Sequence, residues 1–395
     1  MRPEFLPFSP PSIDEAEIAE VVDTLRSDWI TTGPKVQRFE SEFASAVQAP
    51  GALAVSSCTA GLEVALAAIG VGPGDAVFTS TMTFAATVNV IEHRGATPIL
   101  VDIDPETLNL DPAALERALS SLPDGLRARA VMPVHHSGHP CDMDRIGELV
   151  AAHRLAVVED AAHALPAAWR GTPIGAIPTR SDEHAVAFSF YATKNLTTAE
   201  GGMLTASPAL LDEARLWSLH GMSRDAWKRY GKGGSWFYEV VRPGFKCNMT
   251  DVQAAMGIHQ LQRLDSMHRR RQEIAARYRK LLGDTSSIVL PVERPEVTHA
   301  WHLFVIRLQL DRLTIGRDQF IDELTARNIG ASVHFIPVHM HPWYRDRYGF
   351  EPRSFPSALH EFERMISLPL HTRLTDRDVD DVASAVVDII SRHSR

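Results

Sequence analysis

Two segments of the chain carry side chains that could do chemistry together. Ala187-Phe188-Ser189-Phe190-Tyr191-Ala192-Thr193-Lys194-Asn195 reads as a short apolar strand that ends in a lysine, just ahead of a Glu200-Gly201-Gly202 turn. A lysine presented at the edge of a sheet can lose its proton and attack a carbonyl. Val157-Val158-Glu159-Asp160-Ala161-Ala162-His163 has the same layout of strand and polar tip, and it offers an aspartate. A Schiff-base amine and a carboxylate that keeps a pyridine nitrogen protonated are what pyridoxal phosphate requires of a protein.

Each residue has a plainer reading beside the chemical one. Asp160 closes a buried strand, where an unpaired carboxylate is costly. A pyridinium N–H is a fitting partner; a helix N-cap is the alternative. A free lysine titrates near ~10.4, and a desolvated position beside a cationic ring lowers that value. Lys194 is otherwise a surface lysine in a turn. His163 faces the same ring or its phenolic oxygen, or is a structural histidine. Ser56-Ser57-Cys58-Thr59-Ala60-Gly61 follows a strand and opens a helix, an arrangement that cradles a phosphate with backbone N–H groups. It also suits a simple N-cap by Ser57 or Thr59. Phe84, after the second strand, stacks on a flat ring or fills the core. The Ser189 hydroxyl is within reach of the same phosphate. Asn248 and Thr250 read as N-caps and Lys246 as a surface charge. His334, His339 and His341 cluster in a loop, but no cysteine or carboxylate set completes a metal site. No metal is predicted, and these histidines are substrate-facing or structural.

The elements that must position these residues alternate. Strands are predicted over 52–55, 76–80, 98–101, 130–134, 156–159, 185–188 and 203–205, with helices over 61–69, 84–93, 112–119 and 144–153. Most of the strands are apolar throughout, which suits burial on both faces of a mainly parallel sheet. Polar strand tips then gather on one edge, where open α/β sheets bind ligands. After about residue 248 the pattern changes. A long helix over 250–282 leads to a strand at 302–308, a helix at 317–327, a short strand at 331–335, a loop at 337–348 and a last helix at 376–391 capped by Thr375. The expected division is a large α/β domain, 1–248, whose first residues can pack on the other unit, and a smaller α+β domain, 249–395.

Bulk properties fit this reading. The 395 residues are 45% hydrophobic and 23% charged, an ordinary globular composition. At ~100–200 residues per domain, two or three domains are expected. A net charge of −9 argues against nucleic acid. The Arg269-Arg270-Arg271 run reads as a solvated helix face. Three cysteines give no disulfide framework and fit a reducing cytoplasm. No apolar run approaches the ~18 residues of a membrane span, and the start of the chain lacks a signal peptide pattern. A cytoplasmic protein without membrane partners is expected.

Taken in order, the motifs resemble those of the DegT/DnrJ/StrS-type nucleotide-sugar aminotransferases, of pyridoxal-phosphate fold-type I. They include Trp29-Ile30-Thr31-Thr32-Gly33-Pro34, Gly72-Pro73-Gly74-Asp75, Val101-Asp102-Ile103-Asp104-Pro105, Glu159 to His163, Phe188 to Asn195, Glu200-Gly201-Gly202, His220-Gly221 and His299-Ala300-Trp301-His302-Leu303-Phe304. The resemblance implies an aspartate-aminotransferase-like fold with a mainly parallel seven-stranded sheet. It implies that Lys194 holds the cofactor and shuttles the proton, that Asp160 pairs with the pyridine nitrogen and that Phe84 stacks on the ring. Cys58, Thr59, Ala60 and Ser189 hold the phosphate, and His163 completes the cofactor contacts. Asn248 reaches the phosphate of a neighbouring subunit, so the site needs a homodimer. Thr32, Gly33, Tyr191 and His334 meet the substrate. Cys58 stands where many relatives have glycine, and His163 where many have glutamine; neither removes a group the mechanism requires.

The loop after Lys194 and the Lys246-Cys247-Asn248-Met249-Thr250-Asp251 segment look more like the subgroup that aminates C4. The implied reaction moves an amino group from L-glutamate to a 4-keto-6-deoxy sugar on a nucleoside diphosphate, dTDP on resemblance alone. Within the family, amination at C3, a 3-dehydratase and an aromatizing synthase are the rivals; dehydratases replace the lysine with histidine. A non-catalytic ligand-binding regulator is the rival outside it, and no DNA-binding module is visible to support one.

Overall fold

The computed structural model describes residues 2–177, 183–223 and 237–395. Its strands are β1 (Ala52–Val55), β2 (Asp75–Ser80), β3 (Thr97–Val101), β4 (Arg127–Met132), β5 (Ala156–Asp160), β6 (Ala168–Trp169), β7 (Thr172–Pro173), β8 (His184–Ser189), β9 (Gly202–Ala206), β10 (Ile288–Val289), β11 (Val297–Thr298), β12 (Phe304–Leu308) and β13 (Met365–Leu368). Its α-helices are α1 (Glu15–Arg26), α2 (Pro34–Ala46), α3 (Cys58–Ala68), α4 (Ala85–His93), α5 (Pro112–Ser120), α6 (Met143–His153), α7 (Pro208–Ser218), α8 (Asp251–Gln262), α9 (Leu264–Leu282), α10 (Arg317–Ala326), α11 (Pro342–Tyr348), α12 (Pro356–Arg364) and α13 (Asp376–His393).

Seven strands form the central sheet in the order β1-β9-β8-β5-β4-β2-β3. β8, β5, β4, β2 and β3 pair in parallel, and β9 runs antiparallel between β8 and β1. The predicted mainly parallel seven-stranded sheet is therefore present. β1, β2, β5 and β9 are buried along their whole length, as strands covered by helices on both faces must be. Side chains alternate across the sheet. Asp160, at the last position of β5, faces one side and Glu159 the other.

A second layer is built on β10, β12 and β13, all antiparallel. Ile274 and Tyr278 of α9 and Val382, Val386 and Ile389 of α13 fill its core. Leu6 joins this core from the other end of the chain. α8 packs instead on α1 and α2, and its Ala254 and Ile258 share a core with Phe39 and Phe43.

Four expectations need correction. The helix predicted over 250–282 is two helices that break at Arg263, although Gln262-Arg263-Leu264 contains neither glycine nor proline. There the Arg263 guanidinium turns to α1, donating to Glu17 Oε1 at 2.6 Å and to the Ser12 carbonyl at 3.1 Å. The strand predicted over 331–335 makes a single bridge, Ser332 to Ser367, because the chain then turns to send His334 and Phe335 toward the sheet edge. The loop predicted over 337–348 contains α11, which Pro342 starts and Tyr344 anchors in the core. Arg271 is not on a solvated face. It is 4% exposed and donates to the Trp301 and Leu370 carbonyls at 3.1 and 3.0 Å.

Candidate active site

One cavity of about 460 Å³ opens at the sheet edge where β5 and β8 end. Ser57, Cys58, Thr59, Phe84, Asp160, His163, Ser189, Tyr191, Lys194 and His334 all line it. The structure thus brings together most residues singled out from the sequence. Ala60 stands just behind the wall, its N–H spent on the Ser57 hydroxyl at 3.1 Å, which makes Ser57 the N-cap of α3. The N–H groups of Cys58 and Thr59, in the first turn of α3, have no intrahelical carbonyl to bond.

Three predicted residues are placed elsewhere in the chain. Thr32 and Asn248 line a separate cleft of about 340 Å³ beside Leu53, Arg215 and Met222, and the Asn248 amide donates to the Thr32 hydroxyl at 2.6 Å. Gly33 donates its N–H to Asp251 Oδ1 at 2.8 Å. Thr250, not Asn248, caps α8 through a capping box with Gln253.

Asp160 is 5% exposed and held at both oxygens. Oδ2 accepts the Thr87 hydroxyl at 2.8 Å and Oδ1 accepts the Ala162 N–H at 3.1 Å. Thr87 has one hydrogen and gives it to the carboxylate, so in the 2.7 Å contact between the two hydroxyls Thr83 must donate to Thr87. The Cys58 thiol lies 3.5 Å from the Ala187 carbonyl oxygen and 3.9 Å from Oδ1. Burial pushes that thiol well above its usual range, and the nearby Asp160 carboxylate adds to the rise. Cys58 therefore stays protonated, a weak donor.

Lys194 follows a turn in which its own N–H bonds the Tyr191 carbonyl at 2.9 Å. Burial of the amine lowers its pKa to about 8, against the opposing pull of the Asp160 carboxylate. An amine with that value is in part neutral at physiological pH and able to act as nucleophile and base. On the facing wall Phe84 is 63% exposed, a ring face free to receive a flat ligand.

Behind the wall, Glu159 accepts from His135 at 2.7 Å and His184 at 2.5 Å. Burial raises the Glu159 pKa, but these two hydrogen bonds outweigh it and hold the group at about 2. The His163 loop is shaped by Gly138 (φ +97°), where a Cβ would stand 2.8 Å from the His163 carbonyl oxygen and 2.9 Å from Ala300 Cβ. A strip at the start of the chain also reaches the cavity. Phe8 stacks on His334, ring centroids 5.4 Å apart, and the Ser9 hydroxyl donates to the Thr193 carbonyl at 3.3 Å.

Thr83, Thr87, Glu200, His302 and Phe335 complete the site without having been singled out as site residues. The spacing of Thr83 and Thr87, four apart at the start of α4 and flanking Phe84, is the one signal that pointed to a shared face.

Residues 11–387 match the DegT/DnrJ/EryC1/StrS aminotransferase family. The chain belongs to that family. It is 50% identical over 391 residues to the spore coat polysaccharide biosynthesis protein SpsC of Bacillus subtilis, covering 98% of each chain. Among solved structures it resembles Spr1654 of Streptococcus pneumoniae in its PMP form. The two share 37% identity with a TM-score of 0.88, covering 98% of this chain and 99% of that one. The PLP form of the same protein gives 36% identity and the same TM-score over the same share of each chain. Helicobacter pylori PseC, an aminotransferase of pseudoaminic acid biosynthesis, gives 26% identity and a TM-score of 0.87 over 98% of this chain and 100% of that one. The enzyme is accordingly a pyridoxal-phosphate-dependent sugar aminotransferase with the fold-type I architecture.

The residues present fit the cofactor. Asp160 offers a fixed, buried carboxylate to a ring N–H, and Phe84 offers an open aromatic face. The start of α3 and the Ser189 hydroxyl offer donors to a phosphate at the same cavity.

Proposed function

We propose that the enzyme transfers the amino group of L-glutamate to C4 of a 4-keto-6-deoxy hexose carried on a nucleoside diphosphate, dTDP in our reading. The product is a 4-amino-4,6-dideoxy sugar nucleotide. The observation that carries the chemistry is the Lys194 amine, lowered to about 8 by burial in the cavity that Asp160 also lines. The choice of C4 and of dTDP rests on the resemblance of the segments around Lys194 and Asn248. A sugar product is in keeping with SpsC and PseC, whose names tie them to a spore coat polysaccharide and to pseudoaminic acid.

When bound, pyridoxal phosphate supplies an electron-accepting ring. The chain's own residues do the rest. Asp160, oriented by Thr87 and the Ala162 N–H, would pair with the ring nitrogen and favour its protonated form. Phe84 covers one face. The Cys58 and Thr59 N–H groups and Ser189 hold the anionic end. Lys194 Nζ would move a proton from and back to carbon, a task suited to an amine near neutral pKa. Tyr191 and His334, on the cavity wall, meet the substrate.

Asn248 and Thr32 lie in a cleft of their own. In this reading a second copy of the chain brings its Asn248 to the phosphate, and the working unit is a homodimer. Cytoplasmic location belongs to the same reading. It is supported by three free cysteines and by the lack, among the described residues, of a helix long and apolar enough to cross a membrane.

The test is direct. Purified enzyme with pyridoxal phosphate is given L-glutamate and a dTDP-4-keto-6-deoxyhexose, and the sugar product is assigned by NMR. We expect 2-oxoglutarate and an amine at C4. An amine at C3 sinks the assignment of the carbon. Lys194→Ala is expected to lower turnover by at least about 10²-fold, and a wild-type rate from that variant would overturn the mechanism.

A further inference from the structure

The cavity wall holds two histidines whose hydrogens are fixed by their neighbours. His163 Nδ1 accepts the Ser137 backbone N–H at 3.3 Å, so the neutral ring carries its hydrogen on Nε2. His302 is the reverse. Its Nδ1 lies 3.1 Å from Asn195 Oδ1. The Asn195 amide cannot be flipped, because its Nδ2 donates to the Leu165 and Ala300 carbonyls at 2.8 Å each. Oδ1 is thus an acceptor, and His302 Nδ1 must be the donor. That leaves His302 Nε2 with a lone pair. His302 lines the cavity, and no partner for its Nε2 exists among the described residues, although the atom is not sealed off in the core.

Both rings stay neutral. Burial, then the Lys194 charge, pushes His163 and His302 well below the ordinary histidine range. The rings sit side by side, centroids 4.3 Å apart. The backbone beneath them is held as well, since Arg271 clamps the Trp301 carbonyl and Gly138 accepts the Ala300 N–H at 2.8 Å. Asn195 is the residue next to Lys194. One turn therefore delivers the amine and fixes the tautomer of an imidazole on the same cavity wall.

We propose that His302 is a further substrate-binding residue, presenting an unprotonated Nε2 that accepts an N–H of the amino donor's ammonium. This rests on the reading that an amino acid enters this cavity as co-substrate. A neutral acceptor suits that visitor, because an imidazolium would repel it and an Nε2–H would meet it donor to donor. The side chain binds rather than reacts, so its loss falls on KM.

Two measurements test this on the full-length enzyme loaded with pyridoxal phosphate. In ¹⁵N-histidine NMR, the signals missing from His302→Phe identify the residue, and the wild type is expected to show protonated Nδ1 and bare Nε2. In kinetics with L-glutamate, His302→Phe is expected to raise KM about tenfold, with kcat within about threefold of wild type. His302→Gln, whose Oε1 restores an acceptor at that position, is expected to regain most of the loss. The bound-cofactor absorbance confirms that each variant is folded. A protonated Nε2 in the wild type, or an unchanged KM in His302→Phe, overturns the proposal. If wild-type enzyme forms no 2-oxoglutarate, the proposed donor falls instead, and the NMR result still decides the tautomer.

Discussion

Thr87 gives its hydroxyl hydrogen to Asp160 Oδ2 across 2.8 Å, and that bond ties the first turn of α4 to the tip of β5. The same turn carries Phe84, so the carboxylate and the stacking ring are set relative to one another by one hydroxyl. Thr87→Val keeps the shape and removes the donor. A buried carboxylate oxygen left without it should cost about 1–3 kcal/mol, read as a lowered urea midpoint of the apoprotein. Thr87→Ser should recover most of that. Equal midpoints for the valine and wild-type proteins would show that the bond carries no weight.

If Lys194 is the amine that captures pyridoxal phosphate, as proposed, capture requires its neutral form. Burial disfavours the ammonium, so deprotonation comes at about pH 8, not near the ~10.4 of a free lysine. The rate of cofactor uptake by apoprotein, followed by absorbance, should rise with pH through a midpoint near 8 and be level by pH 10. A rise that continues beyond pH 10 would place the amine in water.

Glu159 accepts hydrogen bonds from two buried histidines, and its pKa stands at about 2, against about 4.3 in an unfolded chain. Its folded value is the lower one, so the stability it contributes is fully present above about pH 4.3 and is lost as pH falls toward 2. His135 meets one carboxylate oxygen and His184 the other, so Glu159→Gln sets an NH2 donor against one of the two ring N–H groups. We expect it to be less stable at pH 7 by about 1–3 kcal/mol and to lose less than wild type on acidification. Parallel acid-denaturation curves would contradict this.

Gly138 is tested against a second glycine of similar conformation. Gly138 and Gly125 have φ of +97° and +84°, but a Cβ at Gly125 meets nothing within 4 Å. Both alanine variants suffer the backbone strain; only Gly138→Ala drives a methyl into the His163 carbonyl. It should be less stable than Gly125→Ala by at least about 1 kcal/mol in urea denaturation. It should also bind pyridoxal phosphate more weakly, since His163 lies on the displaced loop.

Much of this was legible in the sequence, for an identifiable reason. Asp160 closes β5 after the apolar run Ala156-Val157-Val158, and Lys194 sits in the turn beyond the end of β8 at Ser189 rather than on the strand itself; a polar residue after such runs has few places to go except the sheet edge. The seven strands could be read from the same runs. What could not be read depends on contacts between distant segments. Nothing at Arg263 breaks a helix locally; the break comes from the ties to Glu17 and Ser12. Arg271 looked like one of three solvated arginines until three carbonyls from other segments closed around it. His302 lay in a recognised motif, but its role depends on an amide more than a hundred residues earlier. Thr32 and Asn248 lie in a cleft apart from the cavity, and nothing in the sequence around them signals that separation.

The run from Leu6 to Ser9 is fastened at both ends. Leu6 is bonded to Asn328 and Gly330 in the C-terminal layer, and Ser9 to Thr193, one residue before the reactive amine. Chain of that length spans at most roughly 10 Å when pulled straight. It acts as a tether: if the C-terminal layer swings outward to admit a bulky substrate, the travel is capped at that reach unless Ser9 lets go.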